Sequence, residues 1–344
     1  MKRFFRYLAD IPLKRKIKYG IMLGCFIVAM VFFGIGNYFK NLLPDIQAEK
    51  RWDNTGGYTQ FGVYLPLGLM EEVEMFNGIL HQVNAALEKE SIVAEDANDR
   101  VTIGAYSGYG TVSLKTEMDT VTAEAIGVGG DFFYFHPIDM IDGSYLTEDF
   151  LMQDYVILDK ETAWKLFGAL NVTGMTVNVG DIPFIVAGVY EPTHKILAKE
   201  AGAEEGRVFM FYSSLRKHGQ ISCIQWLDFL IPNPVNGFGE KILTENMTVS
   251  AEDAVIVEHS ARFNPILLFK LVPDYLERVM SKSGIVYPYW ENMARGYENI
   301  LVVFLLIETV CLVCGVVLLL HTIKPVKNIK RGLNWLIDKI RRRK

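Results

Sequence analysis

Cysteine is scarce in this sequence, with four residues in a chain of 344. Cys25, Cys311 and Cys314 fall in two long apolar runs near the ends of the chain, and only Cys223 lies between those runs. No disulfide can therefore form within the region between them. This excludes a small module held together by disulfides, and a region of this length can bury a hydrophobic core of its own.

The sequence also lacks the motifs of common catalytic and nucleotide-binding sites. It contains no G-x-x-x-x-G-K-[ST] phosphate loop, no G-x-S-x-G elbow and no H-E-x-x-H motif. The six histidines have no spacing that suits a shared metal ion. In Glu258-His259-Ser260, consecutive side chains point in different directions, which argues against a catalytic group. We therefore predict that the chain is not an enzyme and has no catalytic, metal-binding or cofactor-binding residue.

Charge is almost absent from two runs of the chain. Tyr19 to Phe39 contains no charged residue, and Asn299 to His321 contains one, Glu308. At about 1.5 Å per residue, each run can cross a hydrocarbon core of about 30 Å. We predict transmembrane helices at 19–39 and 299–321. The first run is longer than a signal-peptide core of about 15 residues and is followed by no small-residue cleavage site, so we expect an uncleaved anchor.

Basic residues are concentrated at the two ends of the chain. Residues 1–18 carry seven Lys or Arg and residues 322–344 carry nine. Because basic flanks stay in the cytoplasm, we predict a two-pass protein of the bacterial cell membrane with both termini inside and residues 40–298 outside. The outer region keeps 19 basic and 37 acidic residues. Because this strongly negative region would repel a phosphate backbone, we predict that it does not bind nucleic acid.

The C-terminal segment 322–344 has the pattern of a basic amphipathic helix. Its apolar residues after Pro325 recur at steps of three and four, on one face of a helix. They are Val326, Ile329, Leu333, Leu336, Ile337 and Ile340. Such a helix is predicted to lie along the inner leaflet or against a cytoplasmic partner, and residues 1–18 carry a shorter stripe of this kind. The alternative is that both segments only anchor the chain in the lipid bilayer.

Glu308 lies near the middle of the second run. A carboxylate at that depth costs on the order of 2–3 kcal/mol. We predict that it contacts another helix, either in an assembly or along a translocation path. The alternative is a neutral glutamic acid packed among helices without a transport role. Gly34 and Gly36 in the first run would also allow close helix approach.

Hydrophobic periodicity between the runs predicts an α+β domain of two lobes. Helices are predicted at 67–90, 160–167, 236–243 and 267–280. Strands are predicted at 101–106, 111–116, 121–127, 155–158, 176–179, 183–189, 224–231 and 254–257. Glycine and aspartate between Gly127 and Asp149 suggest a boundary, so the second lobe is placed at roughly 128–215.

Two groups of aromatic residues have simple structural interpretations. Trp164, Leu166 and Phe167 are expected to lie in the hydrophobic core. Tyr287-Pro288-Tyr289-Trp290 precedes the second run and is expected to form an aromatic belt at the membrane surface.

Residues 128–191 resemble the periplasmic core domain of MacB-like ABC transporter permeases, in the FtsX-like permease superfamily. Phe132-Phe133, His136-Pro137-Ile138 and Asp142-Gly143-Ser144-Tyr145-Leu146 are similar to the first conserved stretch of that family. Val156 to Asp159 and Glu161 to Gly168 are similar to its strand–helix element, and Gly174 to Val189 is similar to its hairpin. The order of anchor, outer domain and second run also agrees with the N-terminal part of such permeases.

This resemblance implies the permease subunit of an ABC transporter, in which a cytoplasmic ABC ATPase hydrolyses ATP and the outer domain transmits motion for export or mechanical work. Such permeases have four spans and this sequence has two, so a second permease chain or a homo-oligomer is expected to supply the others. The family's cargo includes peptides, toxins and lipid-linked molecules, and the sequence does not choose among them. The alternative is a membrane-anchored surface sensor or adaptor without its own transport path.

Overall fold

A computed structural model describes residues 13–53, 55–67, 73–94, 99–148, 150, 152–221, 223–247, 254–273, 281–282 and 285–322. Residues 41–299 form one compact unit. The described residues up to Lys40 and from Ile300 onward form the other.

The helices, in chain order, are α1 (Leu13–Asn41), α2 (Ala48–Trp52), α3 (Val73–Lys89), α4 (Phe132–Phe135), α5 (Lys160–Phe167), α6 (Tyr212–His218), α7 (Phe238–Asn246), α8 (Pro265–Lys270) and α9 (Tyr289–Thr322). The strands are β1 (Tyr58–Tyr64), β2 (Ile103–Lys115), β3 (Thr120–Gly130), β4 (Asp139–Gly143), β5 (Tyr155–Asp159), β6 (Thr176–Val179), β7 (Ile182–Glu191), β8 (Val208–Phe211), β9 (Gln220–Ile221), β10 (Trp226–Pro232), β11 (Val255–Glu258), β12 (Ser281–Lys282) and β13 (Ile285–Val286). A short 3-10 turn covers Pro44–Ile46.

Among the described residues, two helices are long and apolar enough to cross a membrane, at Lys16–Asn41 and Tyr289–Leu320. In the helical unit they contact one another. The rings of Phe32 and Phe304 are 5.0 Å apart. A Cβ at Gly36 would lie 3.3 Å from Leu301, so glycine allows close approach there. No atom lies within 4 Å of the equivalent point at Gly34.

In the described part of the chain, eleven strands form one sheet in the order β11-β1-β10-β2-β3-β8-β5-β7-β4. Strand β6 pairs with β2 and β7, and β9 pairs with β2. Strands β3 and β8 run parallel, as do β5 and β7, and the other pairs are antiparallel. This mixture of a largely antiparallel sheet with short helices confirms the predicted α+β class.

The first part of the sheet has a core on each face. Phe61 of β1 pairs with Phe229 of β10, and both lie in the cluster that includes residues of α3 and α7. Tyr64 pairs with Trp226, and both lie in a second cluster rich in aromatic residues. Because side chains alternate between the faces of a strand, each strand serves both cores.

The second part of the sheet closes on itself. Strands β2, β3, β8, β5, β7 and β6 pair in succession, and β6 returns to β2 where Val179 pairs with Leu114. The ring encloses apolar side chains of all six strands, including Val112, Leu114, Ala125, Val156, Leu158, Val177, Phe184, Val186, Val208 and Met210. Strand β2 therefore belongs to both parts of the sheet.

The predicted strands 101–106 and 111–116 are one continuous strand, β2. The glycines between them allow another segment to pass close to the backbone. A Cβ at Gly108 would lie 2.5 Å from the carbonyl oxygen of Cys223, and one at Gly110 would lie 2.4 Å from that of Gln220. These glycines make room for β9 and for Cys223, which follows it.

The predicted helix 160–167 is confirmed, with one difference in burial. Leu166 is buried and Phe167 is partly buried, as expected. Trp164 is 61% exposed, so its predicted place in the core is wrong. Helix α8 ends at Lys270, ahead of the predicted end at Met280, and residues 274–280 lie outside the described part of the chain.

Candidate functional site

The first turns of α9, residues 289–299, belong to the same unit as the sheet. Trp290 is 2% exposed, and its ring lies 5.2 Å from Trp226 and 5.7 Å from Phe132. Tyr287 is also buried and lies 5.2 Å from the ring of Tyr64. The predicted aromatic belt is therefore wrong for these two residues, because they pack into the core of the domain.

Arg262 forms a buried ion-pair cluster with this part of α9. Its Nη1 and Nη2 donate to the two carboxylate oxygens of Glu291 at 2.7 and 2.9 Å, and its Nε donates to Glu298 at 2.6 Å. All three residues are at most 5% exposed. Burial opposes the charge of Arg262, but Glu291 and Glu298 raise its pKa well above the usual value. A two-pronged guanidinium–carboxylate contact of this kind fixes orientation as well as distance.

The helix presents these acids because of their spacing. Glu291, Arg295 and Glu298 are separated by four and three residues, so they share one helical face. Arg295 donates to Glu291 at 2.6 Å, and its guanidinium lies 3.6 Å from the centre of the Tyr287 ring. The hydroxyl of Tyr64 in β1 donates to Glu291 at 3.0 Å. Strand β1 is thereby tied directly to α9.

His259 completes this cluster in the loop that follows β11. Arg262 Nη1 lies 3.0 Å from His259 Nδ1, which must accept the bond because a guanidinium only donates. Burial and the neighbouring Arg262 charge lower the pKa of His259 to about 3, so the ring is neutral. A Cβ at Gly62 would lie 2.6 Å from His259 Nε2, so β1 needs glycine there. We name Tyr64, His259, Arg262, Glu291, Arg295 and Glu298 the base network.

His136 links the start of the domain to the sheet. It is 1% exposed, and its Nδ1 and Nε2 lie 3.1 Å from Asp45 and 2.9 Å from Asp228. Burial alone would lower the pKa of His136, but the Asp228 and Asp45 carboxylates raise it to about 9. The ring is therefore charged at neutral pH and donates through both nitrogens. It also lies 4.2 Å from the ring of Trp290.

Together these contacts connect distant parts of the sequence within one unit. Asp45 follows α1, Asp228 is in β10, and Arg262 follows β11. All of them meet residues 290–298 of α9, either directly or through His136. Removing one member of a buried ion pair leaves an uncompensated charge and costs about 3–5 kcal/mol. The arrangement can hold the base of α9 in a fixed position on the sheet, and it shows no nucleophile paired with a base.

The predicted site residues lie elsewhere. Glu308 is a partly buried residue of α9. Val326, Ile329, Leu333, Leu336, Ile337 and Ile340 lie outside the described residues. Within the part of the chain that the structure describes, no three His, Cys, Asp or Glu side chains gather to hold a metal ion. The sequence reasoning missed the base network, although the three-and-four spacing of Glu291, Arg295 and Glu298 could have indicated a polar face meeting a partner.

The fold and the base network define a mixed α/β domain carried by apolar helices near both ends of the chain. A family model described as "MacB-like periplasmic core domain" matches residues 19–259. The chain belongs to this MacB-like family.

A curated relative is the "Macrolide export ATP-binding/permease protein MacB" of Chromobacterium violaceum, which is 37% identical over 71 residues. That match covers 20% of this chain and 11% of the relative, so the chain spans about a tenth of that protein's length.

Two solved structures are also similar. The periplasmic region of MacB from Actinobacillus actinomycetemcomitans has a TM-score of 0.40 at 17% identity, covering 64% of this chain and 94% of that one. The extracellular domain of the noncanonic ABC-type transporter YknZ from Gram-positive bacteria has a TM-score of 0.35 at 14% identity, covering 58% and 99%. The family assignment rests on the match of sequence.

Proposed function

We propose that this chain is the permease subunit of an ABC transporter of the MacB/FtsX-like type. A partner ATPase in the cytoplasm hydrolyses ATP, and the domain of residues 41–299 converts the resulting helix movement into export or mechanical work. Membership of the MacB-like family supports the class of protein. The observation that carries the proposal is that one continuous helix, α9, includes both Glu291, Arg295 and Glu298 of the base network and a stretch that can cross a membrane.

The base network suits this role because it resists separation of α9 from the sheet. Arg262 contacts Glu291 and Glu298 at once, so a displacement of either acid is opposed by buried charge. Tyr64 passes the same constraint to β1. Movement of α9 along or about its axis is thus transmitted to the strands rather than absorbed in a loose joint.

The proposed topology has residues 1–18 and 322–344 in the cytoplasm, spans at 19–39 and 299–321, and the domain of residues 40–298 outside, with its second lobe at roughly 128–215. Basic flanks support this orientation. The apolar face of residues 322–344 would contact the inner leaflet or the ATPase. Further helices would come from a second permease chain or another copy of this one, and Glu308 would face them.

Affinity purification from native membranes in mild detergent, followed by mass spectrometry, tests this function. We expect an ABC ATPase to co-purify, together with a second membrane chain or with copies of this one. A tagged control that carries the same spans but lacks residues 323–344 should recover less ATPase. Recovery of the chain with only envelope or signalling proteins after cross-linking would contradict the proposal and favour an adaptor.

A further inference from the structure

A cavity of about 500 Å³ opens beside the start of α5, away from the base network. It is lined by residues of α5, the end of β7 and the segment that precedes β8. Ligand pockets in proteins have volumes of about 300–1,000 Å³, so the cavity can hold a small organic group.

Asp159 lines this cavity and holds a carboxylate oxygen without a partner. The residue is 1% exposed. Its Oδ1 accepts hydrogen bonds from the backbone N–H groups of Glu161 and Thr162, both at 3.0 Å, and so caps α5. Its Oδ2 is buried and has no hydrogen-bond partner in the described part of the chain. A buried, unsatisfied carboxylate oxygen is costly, and a cationic donor would relieve that cost.

Gly206 shows that the neighbouring segment is fitted around this carboxylate. A Cβ at Gly206 would lie 2.3 Å from Asp159 Oδ1. Any side chain there would displace Asp159 or the segment. The position of the carboxylate at the cavity thus depends on glycine at 206.

The walls of the cavity combine apolar surface with negative charge. Trp164 is 61% exposed, and Leu170 and Pro192 also line the cavity. The face of an indole ring attracts cations, at about 0.5–2 kcal/mol per contact. Glu191 Oε1 forms an ion pair with Lys160 Nζ at 2.7 Å, whereas His194 Nδ1 lies 3.8 Å from Glu204 Oε1.

The charge of the lining favours a cation. Four carboxylates and one lysine, Lys160, line the cavity. Lys165 pairs with Glu161 of the lining at 2.7 Å, so two lysines face four carboxylates. An anion would meet net repulsion from these groups.

We propose that this cavity binds an organic cation in which an ammonium, amidinium or guanidinium group is attached to an apolar body. The charged group bonds to Asp159 Oδ2, and the apolar body packs on Trp164, Leu170 and Pro192. Such a group exists on free small molecules and on lysine or arginine side chains of a polypeptide. The inference concerns a site that the proposed transport function does not use, so the two can fail separately.

Calorimetric titration of the full chain in detergent tests the site with benzamidine and its uncharged counterpart benzamide. We expect saturable binding of benzamidine at least tenfold tighter than that of benzamide. Asp159→Asn keeps a helix-capping side chain and removes the charge, so it should weaken benzamidine binding at least tenfold. Val235→Ala alters an exposed residue outside the cavity and should bind as wild type does.

Trp164→Ala provides a second variant, because an exposed side chain contributes little to folding. It should weaken benzamidine binding at least threefold with an unchanged unfolding midpoint. Equal affinity for the two probes would overturn the proposal. Wild-type affinity for benzamidine in both Trp164→Ala and a folded Asp159→Asn would also overturn it. If Asp159→Asn does not fold, wild-type affinity in Trp164→Ala alone would overturn it.

The source of the cation is separated by a second pair of probes, a blocked Leu-Arg-Leu peptide and the same peptide with citrulline. Tighter binding of the arginine peptide than of benzamidine indicates a polypeptide side chain. Tighter binding of benzamidine indicates a free small cation. Equal affinity of the arginine and citrulline peptides, combined with no preference for benzamidine over benzamide, would contradict a cation site of any source.

Discussion

Arg262 and His136 show how single residues fix the base of α9. Each is almost fully buried, and each carries a charge that is held by two carboxylates. Desolvation of such a charge is compensated only while both partners stay in place. These residues therefore stabilise one arrangement strongly instead of allowing several.

Arg262→Met should lower the free energy of unfolding by about 3–5 kcal/mol, because Glu291 and Glu298 would stay buried after losing the guanidinium that contacts both of them. Thermal unfolding of the full chain in detergent measures the effect. Lys160→Met is the control, since it removes an exposed ion pair with Glu191 and should leave the midpoint close to wild type. A midpoint shift as small as that of the control would show that the network does not hold the domain together.

His136 should make stability fall at alkaline pH. Its pKa is about 9 in the folded protein and near 6.5 when unfolded, so its stabilisation is complete below pH 6.5 and is lost as pH rises through 9. The maximum slope is about 1.4 kcal/mol per pH unit. The difference in unfolding midpoint between wild type and His136→Gln should therefore be larger at pH 6 than at pH 9.5. A difference that does not change with pH would show that His136 is not charged in the fold.

His259 should make stability fall at acidic pH, in the opposite direction to His136. Its pKa is about 3 in the folded protein, so the unfolded chain binds more protons at acidic pH, and the stability contributed by a neutral ring is lost as pH falls from 6.5 toward 3. The combined contribution of the two histidines to stability is therefore greatest near pH 6.5. The contribution of His259 is measured in His136→Gln, as the fall of the unfolding midpoint between pH 6.5 and pH 3.

At the scale of elements, the sequence predicted those helices and strands whose boundaries are set by neighbouring residues. Helix α5 matches its prediction because Asp159 caps its start and Gly168 ends it in a left-handed conformation. Strand β2 was predicted as two strands. Its glycines accommodate the backbone of Gln220 and Cys223, which lie more than a hundred residues away in the sequence.

The base network escaped prediction for a similar reason. Its members come from β1, the loop after β11 and α9, and only folding brings them together. Nothing local distinguishes His259 or Arg262 from a solvated residue of a loop. The exposure of Trp164 was equally hidden, because the helical spacing that buries Leu166 does not say how far the apolar face extends.

Gly110→Ala should destabilise the domain by about 1–3 kcal/mol, because the new methyl group would lie 2.4 Å from the carbonyl oxygen of Gln220. Gly78→Ala in α3 is the matched control. No atom lies within 4 Å of its Cβ position, so alanine should stabilise the helix by about 0.5–1 kcal/mol. Chemical unfolding of both variants gives the comparison, and equal effects would show that β9 does not pass close to β2.

At the scale of the whole molecule, the proposed orientation depends on the basic ends of the chain. A reporter fused after Lys344 should be protected from a membrane-impermeant label in intact cells. A label at Val235→Cys should be accessible, since Val235 is an exposed residue of the domain. Labelling of the C-terminal reporter from outside would reverse the proposed topology.

The role of Glu308 also belongs to the whole molecule, because it depends on contact with another helix. A carboxylate in the apolar part of α9 is tolerated at low cost when it is neutral or bonded to another helix, whereas a fixed cation at that depth costs about 2.5–3.5 kcal/mol and repels a cationic partner. Glu308→Gln keeps the size and hydrogen-bonding capacity of the side chain, so its yield of co-purified complex should stay close to wild type. Glu308→Lys should reduce that yield several-fold while the monomeric chain still reaches the membrane. Because the two variants differ mainly in charge, equal yields would mean that no partner helix meets Glu308, and the proposal of additional helices would lose its support from this residue.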